Sequence, residues 1–170
     1  MNQNNFDPES MLKGRIAETL VEDLLKQSGN VVYRFGYEAI LQNLTQIQQD
    51  FARHSDAGER IRAIPDFIVI DLNKNPIFLE VKFRWDGNPH EDDKIRLERI
   101  SEFWNAKIIF VNRKEKPYFR ISSPPYLGKD GLIIYKPLIE ETCFKIDEGA
   151  YDKFENLVEK YLKLTLVPEK

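Results

Sequence analysis

Ile64-Pro65-Asp66-Phe67-Ile68-Val69-Ile70-Asp71, followed after a short polar turn by Ile77-Phe78-Leu79-Glu80-Val81-Lys82-Phe83, reads as a β-hairpin that carries two acids and a lysine. Both runs are rich in β-branched and aromatic residues, and Asn73-Lys74-Asn75-Pro76 between them has the composition of a tight turn. Alternation along a strand puts Phe78, Glu80 and Lys82 on one face and Leu79, Val81 and Phe83 on the other. A three-residue turn, at Leu72 to Lys74 or at Asn73 to Asn75, pairs even-numbered residues with even-numbered ones and sets Asp66 on the face of Glu80. Two carboxylates on the inner half of an apolar hairpin repel each other and lose hydration unless a cation neutralises them. A divalent metal answers both costs, and hard oxygen donors select Mg2+ or Mn2+.

The chain of 170 residues has the length of one domain, residues 1–170, with room for a sheet covered by helices. Its 42% hydrophobic and 31% charged residues are ordinary for a soluble globular protein, and no apolar run approaches the roughly 18 residues of a membrane helix. The polar start, Met1-Asn2-Gln3-Asn4-Asn5, lacks the basic and apolar segments of a secretion signal, so a cytoplasmic location is expected. Cys143 is the single cysteine, which excludes an intramolecular disulfide and a thiolate metal cluster. His54 and His90 are too few for a His-rich zinc site. The net charge of −3 argues against a protein that coats nucleic acid, yet the charge is uneven: residues 82–136 are net positive and the flanking segments net negative. The basic middle reads either as a solvated mixed surface or as one that faces phosphates.

From the N-terminus, Asp7-Pro8-Glu9-Ser10 predicts a helix start, with the helix running to Gln27 before Ser28-Gly29-Asn30. Ala17, Leu20, Val21, Leu24 and Leu25 form its apolar stripe, with Glu18 at the edge. Taken alone, Glu18 is a boundary carboxylate. Gly14 in the helix interior suggests close approach of another backbone or of a ligand. Val31 to Tyr37 reads as a strand at a sheet edge, Ala39 to Arg53 as a short helix, and His54 to Arg60 as a loop into the hairpin. Arg84 to Pro89 reads as a loop. Asp92 or Asp93 caps a helix to Asn105 whose basic side holds Lys94, Arg96 and Arg99. Lys107 to Val111 is a short buried strand, parallel to its neighbour because a helix connects them. Arg113 to Arg120 mixes cations and aromatics, as in a phosphate- and base-holding segment or in an ordinary exposed strand and turn. After the break at Ser122-Ser123-Pro124-Pro125, Leu132 to Tyr135 predicts an added strand. A last helix from Asp147 or Glu148 follows, with Tyr151, Phe154, Leu157, Val158, Tyr161 and Leu162 on its apolar face.

Pro65-Asp66, then thirteen residues, then Glu80-Val81-Lys82, preceded by a helix with Gly14-Arg15-Ile16-Ala17-Glu18, resembles the PD-(D/E)xK nuclease superfamily in motif order and spacing. Glu-x-Lys alone is common; the combination is much more specific. The likeness spans about residues 11 to 111 and implies a restriction-endonuclease-like αβββαβ core in an α/β fold, a central mixed sheet flanked by helices, with a C-terminal strand and helix added. It implies that Asp66, Glu80 and the backbone carbonyl of Val81 bind Mg2+ or Mn2+, that Glu18 reaches the metal directly or through water, and that Lys82 orients or helps deprotonate the attacking water. Outside the resemblance, Lys82 is a salt bridge to Glu80. Glu22, one turn after Glu18, either replaces it or extends the acidic rim. Arg15, Arg84, Lys94, Arg96 and Arg99 lie close in sequence to these residues and are candidate phosphate contacts. The implied activity is metal-dependent hydrolysis of nucleic acid, DNA before RNA, by an endonuclease of repair, recombination or restriction. A junction-cutting version needs a homodimer to place two sites on two strands. The competing reading is a non-catalytic nucleic-acid or protein-binding module that keeps the fold, motivated by the acidic pI of about 5.5.

Overall fold

A computed structural model describes residues 8–36, 55–84 and 91–163. Helix α1 (Pro8–Gln27) leads into strand β1 (Val31–Arg34), a short helix α2 (Asp56–Arg62), and the hairpin β2 (Phe67–Ile70) and β3 (Pro76–Arg84). Helix α3 (Glu91–Trp104) then crosses to β4 (Lys107–Asn112), and β5 (Phe119–Ser122), β6 (Lys136–Pro137) and helix α4 (Glu148–Val158) complete the chain. The six strands form one sheet in sequence order, β1-β2-β3-β4-β5-β6. Every neighbouring pair is antiparallel except β3 and β4, which the α3 crossover makes parallel. The order is αβββαβ, with α2 inserted before β2, around a mixed α/β sheet flanked by helices, and β5, β6 and α4 are added to it.

The hairpin fixes the rest. Phe67 pairs with Leu79, Ile68 with Phe78, Val69 with Ile77 and Ile70 with Pro76, so Leu72 to Lys74 is the three-residue turn. The Lys74 N–H donates to the Asp71 carbonyl at 3.0 Å and Lys74 takes a φ of 67°, which closes a type I turn with a left-handed residue behind it. The Asp71 carboxylate accepts from the Asn73 and Asn75 N–H groups at 2.8 and 2.7 Å, holding that turn in one register. Continued one step, the pairing brings Asp66 opposite Glu80.

One sheet face, through Val32, Phe67, Val69, Leu79, Val81, Ile109, Val111, Phe119 and Ile121, packs against α1 and α4. On the other face Ile108 and Phe110 join Leu97 and Ile100 of α3, with Ala63, Tyr126 and Ile133. Phe35, Phe78 and Trp104 meet there with ring centroids 5.2 to 5.6 Å apart. Among the described residues no helix is long and apolar enough to cross a membrane.

Several expectations need correction. The segment predicted as a loop from His54 to Arg60 contains α2: Ser55 Oγ accepts from the Gly58 N–H at 3.1 Å, acids Asp56 and Glu59 open the helix, and Arg60 and Arg62 close it. Strand β1 ends at Arg34, before Tyr37. Helix α3 starts at Glu91, so Asp92 and Asp93 stand in its first turn and do not cap it. Leu132 to Tyr135 holds only a bridge from Ile133 to Leu127, and the sheet strand is shifted to Lys136–Pro137; Leu132 and Ile134 point to solvent, while Tyr135 turns its hydroxyl to Arg120. The aromatic-cationic run holds the expected turn, exposed at Lys114 to Lys116 and leading into β5, but its other cations and aromatics are not at the surface. Arg113, Tyr118, Phe119 and Arg120 are buried, and Arg120 is engaged by the Pro117 carbonyl, the Tyr135 hydroxyl and Glu115. On the last helix Tyr161 is 51% exposed, since a wider turn at Glu159–Lys163 rotates Leu162 inward in its place. A Cβ at Gly14 would meet no atom of the described residues within 4 Å, so no backbone among them closes on that glycine. The predicted cap at Asp7, the helix Ala39 to Arg53 and residues 85–89 of the predicted Arg84 to Pro89 loop lie outside the described residues, while Arg84 itself ends β3.

Candidate active site

Beyond the last paired residues of β1 and β2 the two chains stay in contact: the Asp66 carbonyl accepts from both the Phe35 N–H at 2.8 Å and the Gly36 N–H at 3.0 Å. This double contact holds the Asp66 backbone at the sheet's end. A Cβ at Gly36 would stand 3.4 Å from Asp66 Cα and 3.6 Å from Asp66 Oδ1, so the missing side chain keeps the space beside the carboxylate open. From the other side, Asp66 Oδ2 accepts from the Val81 N–H at 2.7 Å, tying the acid to the middle of β3.

Glu80 is 2% exposed. Its Oε1 forms a short ion pair with Lys82 Nζ, two residues along the same strand face, and lies 3.5 Å from Arg96 Nη2 on α3. The Asp66 carboxyl is pushed well above the usual carboxylate range, first by burial and then by the charges of Glu80 and Glu18. The Lys82 charge and the Val81 N–H pull the other way and only partly offset this. The register thus sets the raised Asp66 carboxyl against the buried Glu80.

Asp66 opens into a cleft of about 300 Å3 lined by α1 (Met11, Gly14, Arg15, Glu18), the end of β1 (Arg34, Gly36), the α2-to-β2 segment (Arg62, Ile64, Phe67) and Arg96 of α3. Arg15 and Glu18 of α1, Asp66, and Arg96 of α3 therefore line one cleft, with Glu80 and Lys82 adjoining it through Asp66 and Arg96. Gly14 lines it too, where a side chain would narrow the cleft. Glu22 faces elsewhere. Its buried carboxylate meets Lys26 at 2.6 Å and Arg34 at 2.5 Å, and these two cations outweigh the burial and hold it below the usual range. Val81 contributes the N–H described above, and its side chain sits in the core against α1.

The remaining candidate cations divide. Arg84 ends β3. Lys94 and Arg99 are not among the residues lining the cleft, and Arg99 pairs with Glu59 of α2 at 2.9 Å. Sequence proximity missed Arg34, Arg62 and Gly36, which the sheet and α2 bring to the cleft from elsewhere. The only sequence signals for them were a strand ending in Arg34-Phe35-Gly36 and a cationic close to a capped helix.

Among the described residues no group of three or more Asp, Glu, His or Cys side chains is gathered tightly enough to cage an ion by itself. The donor set is a facing carboxylate pair, Asp66 and Glu80, with Glu18 on the cleft wall. Ions such as Mg2+ suit such a set, since they keep several waters and take one or two carboxylates together with substrate phosphates.

No family model matches the chain, and none of the curated proteins does. Among solved structures it is similar to Hjc, a Holliday junction resolvase of Archaeoglobus fulgidus, at 17% identity and a TM-score of 0.38, over 82% of this chain and 89% of the resolvase.

Proposed function

We propose that this chain is a metal-dependent nuclease of the PD-(D/E)xK type that hydrolyses phosphodiester bonds, with DNA as its first substrate class. The observation that carries the reading is the hairpin register, which sets Asp66 opposite Glu80 with Lys82 on the same face, beside a cleft whose rim is rich in arginine. Asp66 and Glu80 would hold Mg2+ or Mn2+, with Glu18 and the Val81 carbonyl completing the set directly or through water. When bound, the ion supplies positive charge at the phosphoryl group and lowers the pKa of a bound water. The raised Asp66 carboxyl fits this role: a group that is hard to ionise in the empty protein is one that an added cation would relieve.

The chain's own residues supply the rest. Phosphoryl transfer asks a protein chiefly for position and for stabilisation of charge on the phosphoryl oxygens. Lys82, 15% exposed and anchored to Glu80, would orient the attacking water and stabilise that charge. Arg15 and Arg62 on the cleft wall would hold flanking phosphates. Met11, Ile64 and Phe67 add apolar surface to the cleft lining. Both sheet faces are covered by helices of the same chain, which supports a single nuclease domain over 1–170.

The direct test is incubation with plasmid, linear, single-stranded and branched DNA and with RNA, in Mg2+ or Mn2+ against EDTA, with Glu80→Ala as the control. Metal-dependent cutting that the variant loses is the expected result, and the best substrate then separates restriction from junction or RNA roles. No cutting of any substrate, together with no Mn2+ uptake by calorimetry, would move the reading to a binding module that keeps the fold.

A further inference from the structure

We propose that Arg96 is a counter-charge for Glu80 that metal binding releases to a substrate phosphate, so that the same guanidinium couples ion uptake to nucleic-acid binding. This rests on the function proposed above and adds a positioning residue to it. Two cations share one oxygen, Glu80 Oε1, and they are held differently. Lys82 comes from the same strand, makes the closer contact and is 15% exposed. Arg96 reaches in from α3, stands 3.5 Å away and is 57% exposed. Charge-assisted pairs usually close to 2.7–2.9 Å, so the Arg96 contact is a loose one. Arg96 also lines the cleft beside Arg15, Arg62 and Asp66. Its guanidinium thus has two places to be, on Glu80 or turned into the cleft. One turn along the same helix, Arg99 is closed onto Glu59 at 2.9 Å and has no such choice.

A divalent ion between Asp66 and Glu80 removes the negative charge that keeps Arg96 on Glu80 and adds a positive charge that repels it. Lys82, anchored through its own strand, stays. Arg96 then faces the cleft with its donors unsatisfied, which is where a phosphate is bidentately held. Because ion and phosphate compete for Glu80 and Arg96 in opposite senses, each tightens the other by the same factor.

The test is the pair of binding equilibria in wild type and Arg96→Gln, with Arg96→Lys as the charge-keeping variant. Calorimetric titration of Mn2+ without nucleic acid is expected to show tighter binding in Arg96→Gln, about fivefold if the contact is of ordinary surface strength, and near wild-type binding in Arg96→Lys. Anisotropy of a short fluorescent duplex, with and without Ca2+, is expected to show ion-dependent tightening in wild type that Arg96→Gln loses. A merely structural arginine would not improve one affinity while weakening the other. Unchanged or weaker Mn2+ binding in Arg96→Gln, or coupling that survives the substitution, overturns the proposal and leaves the nuclease reading standing. A wild-type chain that takes up no Mn2+ overturns the proposal, and one that also cuts no substrate overturns the nuclease reading with it.

Discussion

Glu141 and the Asp66–Glu80 pair are both carboxylates buried against the same sheet, and the protein treats them in opposite ways. Glu141 Oε1 accepts from the Thr142 and Cys143 N–H groups at 2.8 and 3.0 Å, while Oε2 meets Lys107 at 3.3 Å and Lys136 at 3.8 Å. Burial raises its pKa, but these donors and the Lys107 charge outweigh it and bring the carboxyl down to about 2. At the cleft, the two facing carboxylates have among the described residues the Val81 N–H on Asp66, and Lys82 and the more distant Arg96 on Glu80. Asp66 consequently moves up where Glu141 moves down. Glu141 has donors on both of its oxygens; under the proposed function, a bound cation would supply the positive charge at the cleft.

The largest expected effect breaks the comparison on the cleft side. Glu80→Ala or Asp66→Ala should lower metal-dependent cleavage by about a thousandfold or more, since each removes a ligand from the group that stabilises the reacting phosphate. Asp66→Asn should leave the thermal midpoint of the metal-free protein unchanged or raised, because the amide keeps an acceptor for the Val81 N–H and drops a charge repelled by Glu80. A clear loss of stability in Asp66→Asn would make the pair a structural one, like Glu141. Lys82→Gln comes next, with a cleavage rate about a hundredfold lower and Mn2+ still bound. Full activity in that variant would take the lysine out of the chemistry.

On the other side, Glu141→Ala should cost about 3 kcal/mol of folding stability, the scale of a broken buried charge network, while activity per folded molecule is kept. Denaturant unfolding and single-turnover rates measure the two. Glu141 also predicts a pH limb. Its folded pKa of about 2 lies below its ordinary 4.5, so its stabilisation is complete above about pH 4.5 and is lost as the pH falls toward 2. The gap in urea midpoint between wild type and Glu141→Gln should therefore narrow across that window and be constant above it. A gap that widens on acidification would reverse the assignment.

The sequence made the hairpin register readable because only a short polar turn separates two strongly alternating runs, and either three-residue turn gives the same parity. Helix α1 and the β3-α3-β4 crossover were readable from helical spacing and from the need of parallel strands for a long connection. Helix α2 was not, since seven residues with Gly58 among them carry no apolar stripe, and only the Ser55 cap marked it. Arg113 and Arg120 looked like surface cations because nothing local reveals the Leu162 carbonyl or the Tyr135 hydroxyl that receives them. The cleft was half readable for the same reason. Asp66, Glu80 and Lys82 lie on one hairpin, whereas Arg34, Gly36 and Arg62 reach the cleft only through tertiary packing.

The smallest effect tests where the boundary between the two kinds of carboxylate runs along α1. Glu18 and Glu22 are one turn apart, and sequence spacing alone cannot choose between them. Glu18 lines the cleft and its charge is felt by Asp66, while Glu22 is buried under Lys26 and Arg34 and held below the usual carboxylate range. Glu22 therefore belongs with Glu141. Its two cations are about half exposed, so screening by solvent limits what the network contributes. Glu22→Gln should lower stability by about 1 kcal/mol and leave the cleavage rate per folded molecule alone, whereas Glu18→Gln should slow cleavage and leave stability near wild type. Measured side by side, equal losses of activity would spread the catalytic acids over two turns of the helix. The reversed pattern, with Glu22 needed for cutting and Glu18 for folding, would move the cleft's third carboxylate to Glu22 and release Arg34 to the substrate.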